Sequence, residues 1–274
     1  MSDEFEAVRS EEDPILQARR AGELMALYRQ RSFDLARLRR DAINRAAQER
    51  GLTFTAVGEE LGLTRGRISQ IRKDAPPTER AFFGIGPIVV ATPTRTIPGR
   101  PEGGVSREDA EADRRVTELL HGLAFEVTHF AIPPDGLWTP RHEAVVICGP
   151  ESSSVTADII EADPLLELRE RGDRWRIIES VTGHEFTSPM DDDGGPATED
   201  VAYVGRVTRD GLTTLVLAGV HARGSVGAAA HVANHLADLH AAVGTSDFSM
   251  VVRSTFDGLT PLTTEAAWGP TAHG

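Results

Sequence analysis

Apolar residues in the first 75 positions recur at helical spacing, with polar residues between them. Two stripes with this spacing precede residue 50: Ile15, Ala18, Ala21, Met25 and Tyr28, and then Leu35, Leu38, Ala42, Ile43 and Ala46. Phe54, Val57 and Leu61 repeat the i, i+3, i+7 relation, and Ile68 and Ile71 repeat i, i+3. The pattern predicts helices over residues 14–50, followed by two short helices that share one apolar core.

The segment between the two short helices predicts a sharp turn. Gly62 stands where the first of them must end, in a left-handed conformation that glycine adopts without steric cost. Thr64 is then placed to cap the second. The side of this second helix away from the isoleucines carries residue types that bind base edges and phosphates. The predicted DNA-binding residues are Thr64, Arg65, Arg67, Ser69, Gln70, Arg72 and Lys73.

The runs Val57-Gly-Glu-Glu-Leu-Gly-Leu-Thr-Arg65 and Ile68-Ser-Gln-Ile71 resemble the helix-turn-helix of bacterial sigma-factor region 4. The resemblance implies a DNA-binding regulator whose partner is double-stranded DNA. It covers this segment alone, and Gly58 stands where alanine is commoner in such motifs. We expect no complete sigma factor, because we find no second sigma-type domain. A helical hairpin used for protein contacts is the alternative.

Residues beyond 77 alternate between β-branched apolar runs and helical patterns. The predicted strands lie near 82–91, 125–132, 143–148 and 214–220, a hairpin covers 165–180, and helices cover 108–123, 152–160 and 229–243. The fold class is therefore α/β: an N-terminal all-α helix-turn-helix module (1–76) and a three-layer, Rossmann-like α/β domain (77–274). Residues 93–107, rich in Pro, Gly and Arg, are expected to form a mobile loop.

Two glycine-bearing loops each follow a buried strand and lead toward a helix. Backbone N–H groups at a helix N-terminus attract anions, and ligands of open α/β sheets bind at the carboxyl ends of strands. The predicted ligand-binding residues are Gly149, Pro150, Ser152, Ser153, Ser154, Gly219, His221, Arg223, Gly224, Ser225 and Gly227. The alternative is that they serve only turns and caps, since neither loop matches a Walker A or Gly-x-Gly-x-x-Gly pattern.

Other candidate side chains are weaker. Tyr203, Arg206 and Trp175 could line a cleft, but aromatic residues in strands usually fill cores. The acidic run 191–193 lacks the ligand spacing of a calcium loop and is expected to be a solvated loop. His231 and His235 have the i, i+4 spacing of a zinc pair but no third ligand, so they are expected on a polar helical face. We predict no metal and no cofactor.

Charge and cysteine content narrow the class of protein. The net charge is −13, yet residues 31–73 carry ten Arg or Lys and five Asp or Glu, a local net charge of +5 that leaves −18 for the rest. Phosphate affinity is therefore confined to the first module. Cys148 is the only cysteine, and we find neither a signal peptide nor a membrane span. A cytoplasmic protein is expected, and its arginine-rich composition suggests a GC-rich bacterial genome.

The sequence is consistent with three functions. The first is a transcription regulator whose α/β domain senses a small anionic ligand, a nucleotide or phosphorylated metabolite, and which pairs its readers as a homodimer through this domain or the helices of 14–50. The second is a nucleotide-processing enzyme tethered to DNA, with His221 or Asp200 in acid–base work. The third is a sigma-associated adaptor that docks on another protein.

Overall fold

The computed structural model describes residues 2–97, 99–192 and 195–274. The chain divides into two compact units. The helical unit comprises Met1–Ala81, Ile85–Pro87 and Leu123–Glu126, and the α/β unit comprises Phe82–Gly84, Ile88–Gly122 and Val127–Gly274. The helical unit thus extends beyond the expected boundary at residue 76 and includes two short segments from later in the chain.

Seven α-helices, three short 3-10 helices and twelve strands are present in the described ranges. The helices are α1 (Ser2–Arg9), α2 (Pro14–Glu49), α3 (Phe54–Glu60), α4 (Arg65–Asp74), α5 (Arg107–Gly122), α6 (Ser154–Glu161) and α7 (Ala222–Val243). The strands are β1 (Ile88–Pro93), β2 (Arg95–Ile97), β3 (Arg100–Gly104), β4 (Val127–Ile132), β5 (Glu143–Val146), β6 (Leu166–Arg171), β7 (Arg174–Glu179), β8 (Glu185–Phe186), β9 (Glu199–Arg209), β10 (Leu212–Gly219), β11 (Phe248–Asp257) and β12 (Thr260–Ala272). No described helix is both long and apolar enough to cross a membrane.

The long helix α2 is the spine of the helical unit. Asp13 caps it, since its carboxylate accepts a hydrogen bond from the backbone N–H of Ile15 at 2.8 Å. The predicted helices over 14–50 are one continuous helix. Arg40 joins α2 to the chain that follows α4, because its guanidinium donates to the carbonyl of Pro76 and, at 2.7 Å, to the hydroxyl of Thr78.

A buried guanidinium gathers the distant segments of the helical unit. Arg80 is fully buried and donates to the carbonyl oxygens of Leu123 at 2.8 Å and Ile85 at 2.7 Å, and to Oε1 of Gln30 at 2.6 Å. Its Cζ lies 3.6 Å from the centre of the Phe125 ring. Arg80 therefore connects α2 to the two segments that run directly into β1 and β4.

The α/β unit is built on a seven-stranded mixed sheet in the order β12-β11-β9-β10-β5-β1-β4. Strands β4, β1, β5 and β10 are parallel neighbours, whereas β9, β11 and β12 pair antiparallel. The α/β class and the parallel strands are as predicted. The antiparallel strands extend the sheet beyond the pattern expected of a fully parallel fold.

The two faces of the sheet are covered differently. Helix α7 contacts β9 to β12 and also α5, which in turn contacts β1 and β4. One buried cluster joins the sheet to α6 and to the small sheet β6-β7-β8. Its members include Val146 and Val216 of the main sheet, Ile159 of α6, and Leu168 and Ile177 of the small sheet. The predicted hairpin over 165–180 is present as β6 and β7.

Two segments differ from their predicted form. Residues 93–107 contain a hairpin of β2 and β3, in which glycines at positive φ, Gly99 and Gly103, supply the bends. Residues 222–228, expected to be a glycine-rich connection, form the first turns of α7. A Cβ at Gly227 would lie 2.2 Å from the Ser254 hydroxyl oxygen, so this glycine permits close packing of helix on sheet.

Replacing Arg80 by methionine should destabilise the helical unit strongly. The change removes the donor to two buried acceptors, the carbonyl of Leu123 and the amide oxygen of Gln30. Each buried acceptor left without a partner costs about 1–3 kcal/mol, so we expect a loss of about 2 kcal/mol or more. Chemical denaturation followed by far-ultraviolet circular dichroism measures it. Arg19→Met, at an exposed position of α2, is the matched control. A loss no larger than that of the control would contradict this role of Arg80.

Candidate nucleic-acid interface and candidate ligand cleft

The helix-turn-helix is held by a small apolar core. Ile43 of α2, Val57 of α3 and Ile68 of α4 are buried together. Partly buried neighbours complete the core: Ala46, Ala47, Leu52, Phe54, Leu63 and Ile71. The shared core predicted from Val57 and Ile68 is present. Leu61 is not part of it, because it follows the end of α3 and is half exposed.

The turn between α3 and α4 depends on two glycines. Gly62 has a φ of +65°, as its place after the first helix predicts. Gly58 faces the returning chain: a Cβ there would lie 2.8 Å from the carbonyl oxygen of Leu63, whose N–H donates to the Gly58 carbonyl at 2.7 Å. A side chain at position 58 would therefore clash with the returning chain, which accounts for glycine at this position.

Helix α4 presents a polar, positively charged edge. Thr64 caps it by accepting a hydrogen bond from the N–H of Arg67 at 3.2 Å. The exposed residues of this edge are Thr64, Arg65, Arg67, Ser69, Gln70, Arg72 and Lys73, the whole predicted set. The guanidinium of Arg67 donates to Oε1 of Gln70 at 3.2 Å, which orients the two side chains relative to each other.

Arg72 has a different environment from its neighbours. Its Nε donates to Oδ1 of Asn44 on α2 at 2.9 Å, and its Cζ lies 3.8 Å from the centre of the Phe54 ring. Arg72 thus joins all three helices of the module. Its charge stays at the surface, but its position is fixed by structural contacts.

A cleft of about 110 Å³ lies at the carboxyl ends of β1, β5 and β10. Six predicted ligand-binding residues line it: Gly149, Pro150, Ser152, Gly219, His221 and Ser225. The two predicted loops are brought together because β5 and β10 are adjacent parallel strands. The lining residues with ionisable side chains that the sequence did not indicate as ligand-binding are Arg95, Asp109, Cys148 and Glu151. Arg95 follows β1 and could have been found from that strand's carboxyl end.

The other predicted ligand residues do not line the cleft. Ser153 caps α6, where its hydroxyl accepts from the N–H of Thr156 at 3.2 Å and from the indole Nε1–H of Trp138 at 2.9 Å. Ser154 contacts the backbone of Trp138, and Arg223 donates to the Ala197 carbonyl. Gly224 and Gly227 lie inside α7. These residues therefore serve caps, backbone contacts and helix packing rather than the lining of the cleft.

Ser225 also serves the fold. Its hydroxyl donates to the carbonyl of Leu217 at 3.1 Å and accepts from the N–H of Gly219 at 3.0 Å. The hydroxyl therefore joins the start of α7 to the end of β10. Ser225 has this structural role although it also borders the cleft.

A buried carboxylate occupies the N-terminus of α7. Asp200 is fully buried, and its Oδ2 accepts from the N–H of Gly224 at 2.6 Å and of His221 at 3.2 Å. Burial raises the pKa of Asp200 to about 6, while a hydrogen bond from Ser188 acts in the opposite direction. Because Asp200 takes these two N–H groups, this helix end offers fewer free donors to a ligand than the sequence predicts.

His221 and Asp191 form a pair beside the cleft. Nε2 of His221 lies 2.8 Å from Oδ1 of Asp191, and the imidazole is partly exposed. Asp191 ends a short 3-10 helix, Pro189–Asp191, within the acidic run expected to be solvated. Asp193, the last residue of that run, lies outside the described residues. Cys148 is a poor nucleophile, because burial raises the pKa of its thiol to about 12.

Three other candidates are core residues. Tyr203 is buried and donates to Asp163 at 2.7 Å, and buried Arg206 donates through Nε to the Phe82 carbonyl at 2.8 Å. His231 is buried rather than on a polar face, with its ring centre 4.6 Å from that of His235. Burial lowers the pKa of His231 to about 4. The spacing of apolar residues in α7 did not indicate that β12 covers the side of this helix that carries His231.

The geometry of α3, the turn and α4 defines the class of DNA-binding helix-turn-helix modules. Residues 35–75 match the family described as sigma-70, region 4. The match confirms the predicted helix-turn-helix module and supports a DNA-binding regulator. Comparison with curated proteins and with solved structures gave no match.

The pKa values of Asp200 and His231 predict opposite pH dependences of stability. The raised pKa of Asp200 contributes stability that is present below its ordinary value of 3.8 and is lost as the pH rises through about 6. The lowered pKa of His231 contributes stability that is present above 6.5 and is lost as the pH falls through about 4.

In wild type, Asp200 should lower the free energy of unfolding by about 3 kcal/mol between pH 4 and pH 6, and Asp200→Asn should not show this decrease. His231→Gln should lack the pH dependence of opposite sign that His231 contributes to the free energy of unfolding. All three tryptophans, Trp138, Trp175 and Trp268, lie in the α/β unit, so urea unfolding followed by tryptophan fluorescence reports on that unit. A stability difference between Asp200→Asn and wild type that does not vary with pH would refute the assignment.

Proposed function

We propose that this protein is a transcription regulator in which α4 enters the major groove of DNA. The observation that carries the proposal is the division of α4 into two sides: Ile68 is buried in the module core, while Arg65, Arg67, Ser69 and Gln70 are exposed together on the other side. Arginine and glutamine are the side chains that read guanine and adenine edges through paired hydrogen bonds.

The ion pairs within the module also indicate that α4 is the helix that contacts DNA. Arg37 on α2 pairs with Asp34 at 2.7 Å and Asp41 at 3.3 Å, and Arg40 pairs with Asp41 at 2.9 Å. These arginines are neutralised locally. The positive charge that remains for phosphates is concentrated on and near α4, so DNA affinity should fall steeply as salt is added.

Replacing Arg65 and Arg67 together by alanine should abolish sequence-selective DNA binding. Each paired base contact is worth roughly 1–3 kcal/mol of discrimination. Duplexes selected from a random pool with the wild-type protein provide the probe, and fluorescence anisotropy measures affinity. Arg107→Ala, an exposed arginine at the start of α5, should bind as wild type does. Unchanged affinity and selectivity of the double variant would remove α4 as the reader.

We further propose that the α/β unit senses a small anionic ligand, a nucleotide or phosphorylated metabolite, in the cleft. The arrangement of its parallel strands supports this. The connection through α5 takes the chain from β1 to β4 on one side, whereas β5 lies on the other side of β1. Such a reversal of strand order is where Rossmann-like sheets bind ligands, and the cleft lies at the carboxyl ends of β1 and β5.

The lining residues limit how such a ligand would bind. Arg95 and His221 can meet an anionic group, Trp175 offers a flat apolar surface, and Asp109 and Glu151 can accept hydrogen bonds from hydroxyl groups. The volume of about 110 Å³ is small beside the ~300–1,000 Å³ of common ligand pockets. It suits a sugar phosphate, or one end of a nucleotide.

A panel of nucleoside phosphates and sugar phosphates should contain a compound that raises the melting temperature followed by tryptophan fluorescence. A ligand at 100 times its Kd adds about 2.7 kcal/mol. Arg95→Ala should remove the shift. Arg223→Ala should keep it, because Arg223 lies outside the lining.

The same incubations separate sensing from catalysis. Mass spectrometry that recovers the compound unchanged supports a sensor, whereas conversion by wild type and not by His221→Ala would support the enzyme alternative through the His221–Asp191 pair. Absence of any shift across the panel, or a shift lost only in Arg223→Ala, would contradict the proposed cleft.

A further inference from the structure

Helix α2 carries a line of side chains that we call the α2 stripe. Its positions alternate in steps of three and four residues: Ala18, Ala21, Met25, Tyr28, Ser32, Leu35, Arg39 and Ala42. Met25 is 64% exposed and Leu35 is 66% exposed, although both are large and apolar. Nothing in the described chain covers these two side chains.

The helical unit uses other sides of α2 for its own packing. Gln30 is buried and accepts from Arg80, Arg40 binds the chain after α4, and Ile43 is buried in the helix-turn-helix core. The α2 stripe points away from Gln30 and Arg40, because positions with a seven-residue repeat share one face of a helix.

The spacing of the stripe is that of helix pairing. A mean step of 3.5 residues keeps side chains facing a second helix that supercoils around the first. Small residues at positions 18, 21 and 42 permit close approach, and the polar residues Ser32 and Arg39 would fix the register of a pair. A second copy of this chain supplies an identical stripe, as a two-fold interface requires.

We propose that two copies pair antiparallel through the α2 stripe, with the two-fold axis between Tyr28 and Ser32. A parallel pair would place each Arg39 against its own copy, and these like charges would repel. In the antiparallel pair Leu35 lies opposite Met25, Ser32 lies opposite Tyr28, and Arg39 lies opposite Ala21.

Charges beside the stripe are already neutralised within one chain. Arg29 pairs with Glu126 at 3.4 Å, and Arg31 lies 3.8 Å from Glu4. Repulsion between these arginines of two identical copies is thereby reduced, which favours a second copy as the occupant of the stripe.

The spacing of the DNA readers also favours the antiparallel arrangement. At a rise of 1.5 Å per residue, the two copies of Ile43 would lie about 40 Å apart along the helices. Paired helix-turn-helix modules read half-sites separated by one DNA turn, ~34–36 Å. A parallel pair would place the two copies of Ile43 at the same level along the helices, with no such separation along the helix direction. The reader spacing depends on the proposed DNA binding, whereas the exposure of the α2 stripe does not.

Sedimentation velocity of the full chain tests the interface. We expect a dimer for wild type and a monomer for Leu35→Glu. Leu16→Glu, on the opposite side of α2 and 39% exposed, should remain dimeric, and circular dichroism checks that both variants are folded. A monomeric wild type, or a dimer that survives Leu35→Glu, would overturn the proposal. A monomeric wild type would also point to another protein as the occupant of the stripe.

Disulfide trapping tests the orientation. A mixture of Met25→Cys and Leu35→Cys proteins should form the mixed crosslink under mild oxidation, and native Cys148 is buried. Rapid crosslinking of Leu35→Cys to itself would instead require a parallel pair and overturn the proposal.

DNA binding separates this inference from the proposed function. Leu35→Glu should lose roughly 100-fold in affinity for a duplex with two half-sites and keep its affinity for one half-site. Equal affinity of wild type and Leu35→Glu for the two-site duplex would overturn the reader spacing. A stable dimer without selective DNA binding would overturn the proposed function and leave the interface standing.

Discussion

The buried guanidinium of Arg80 is the interaction on which the arrangement of the helical unit depends. A charged group removed from water is stable only where hydrogen bonds and close partners replace its hydration. Arg80 meets this condition with carbonyl groups from Leu123 and Ile85 and with the amide of Gln30. It therefore fixes, relative to α2, the two short segments from which β1 and β4 begin. Gln30 and Ile43 lie on one continuous helix, so the same helix holds these segments and the DNA reader.

The same physical rule shapes the cleft of the α/β unit. Asp200 is buried because N–H groups at the start of α7 hydrogen-bond to its carboxylate, and the raised pKa of this group reflects the remaining cost of burial. One of those N–H groups belongs to His221, so Asp200 also positions the residue that pairs with Asp191. The anion-binding capacity expected of this helix is largely used inside the protein. An anionic ligand would then depend on side chains such as Arg95.

Features determined by local sequence could be predicted without the structure. The helix-turn-helix follows from the spacing of Val57 and Ile68, the turn at Gly62 and the cap at Thr64, all within one short segment. The strands β5 and β10 follow from continuous apolar runs. Their adjacency is a non-local contact that the sequence does not indicate, and it brings the loops after the two strands to one edge of the sheet. These features brought six of the predicted ligand residues to the cleft.

Features determined by distant contacts could not be predicted. Gly224 and Gly227 suggest a loop when only their neighbours are considered, but both lie in α7. Glycine is needed there because a Cβ at either position would collide with β9 or β11. Strand β9 was not recognised, since its buried positions include the polar residues Asp200 and Arg206, whose partners come from other parts of the chain. The structural role of a glycine or of a buried charged residue thus depends on the distant segment that packs against it. Asp200, which positions His221 beside the cleft, acquires its role from contacts of this kind.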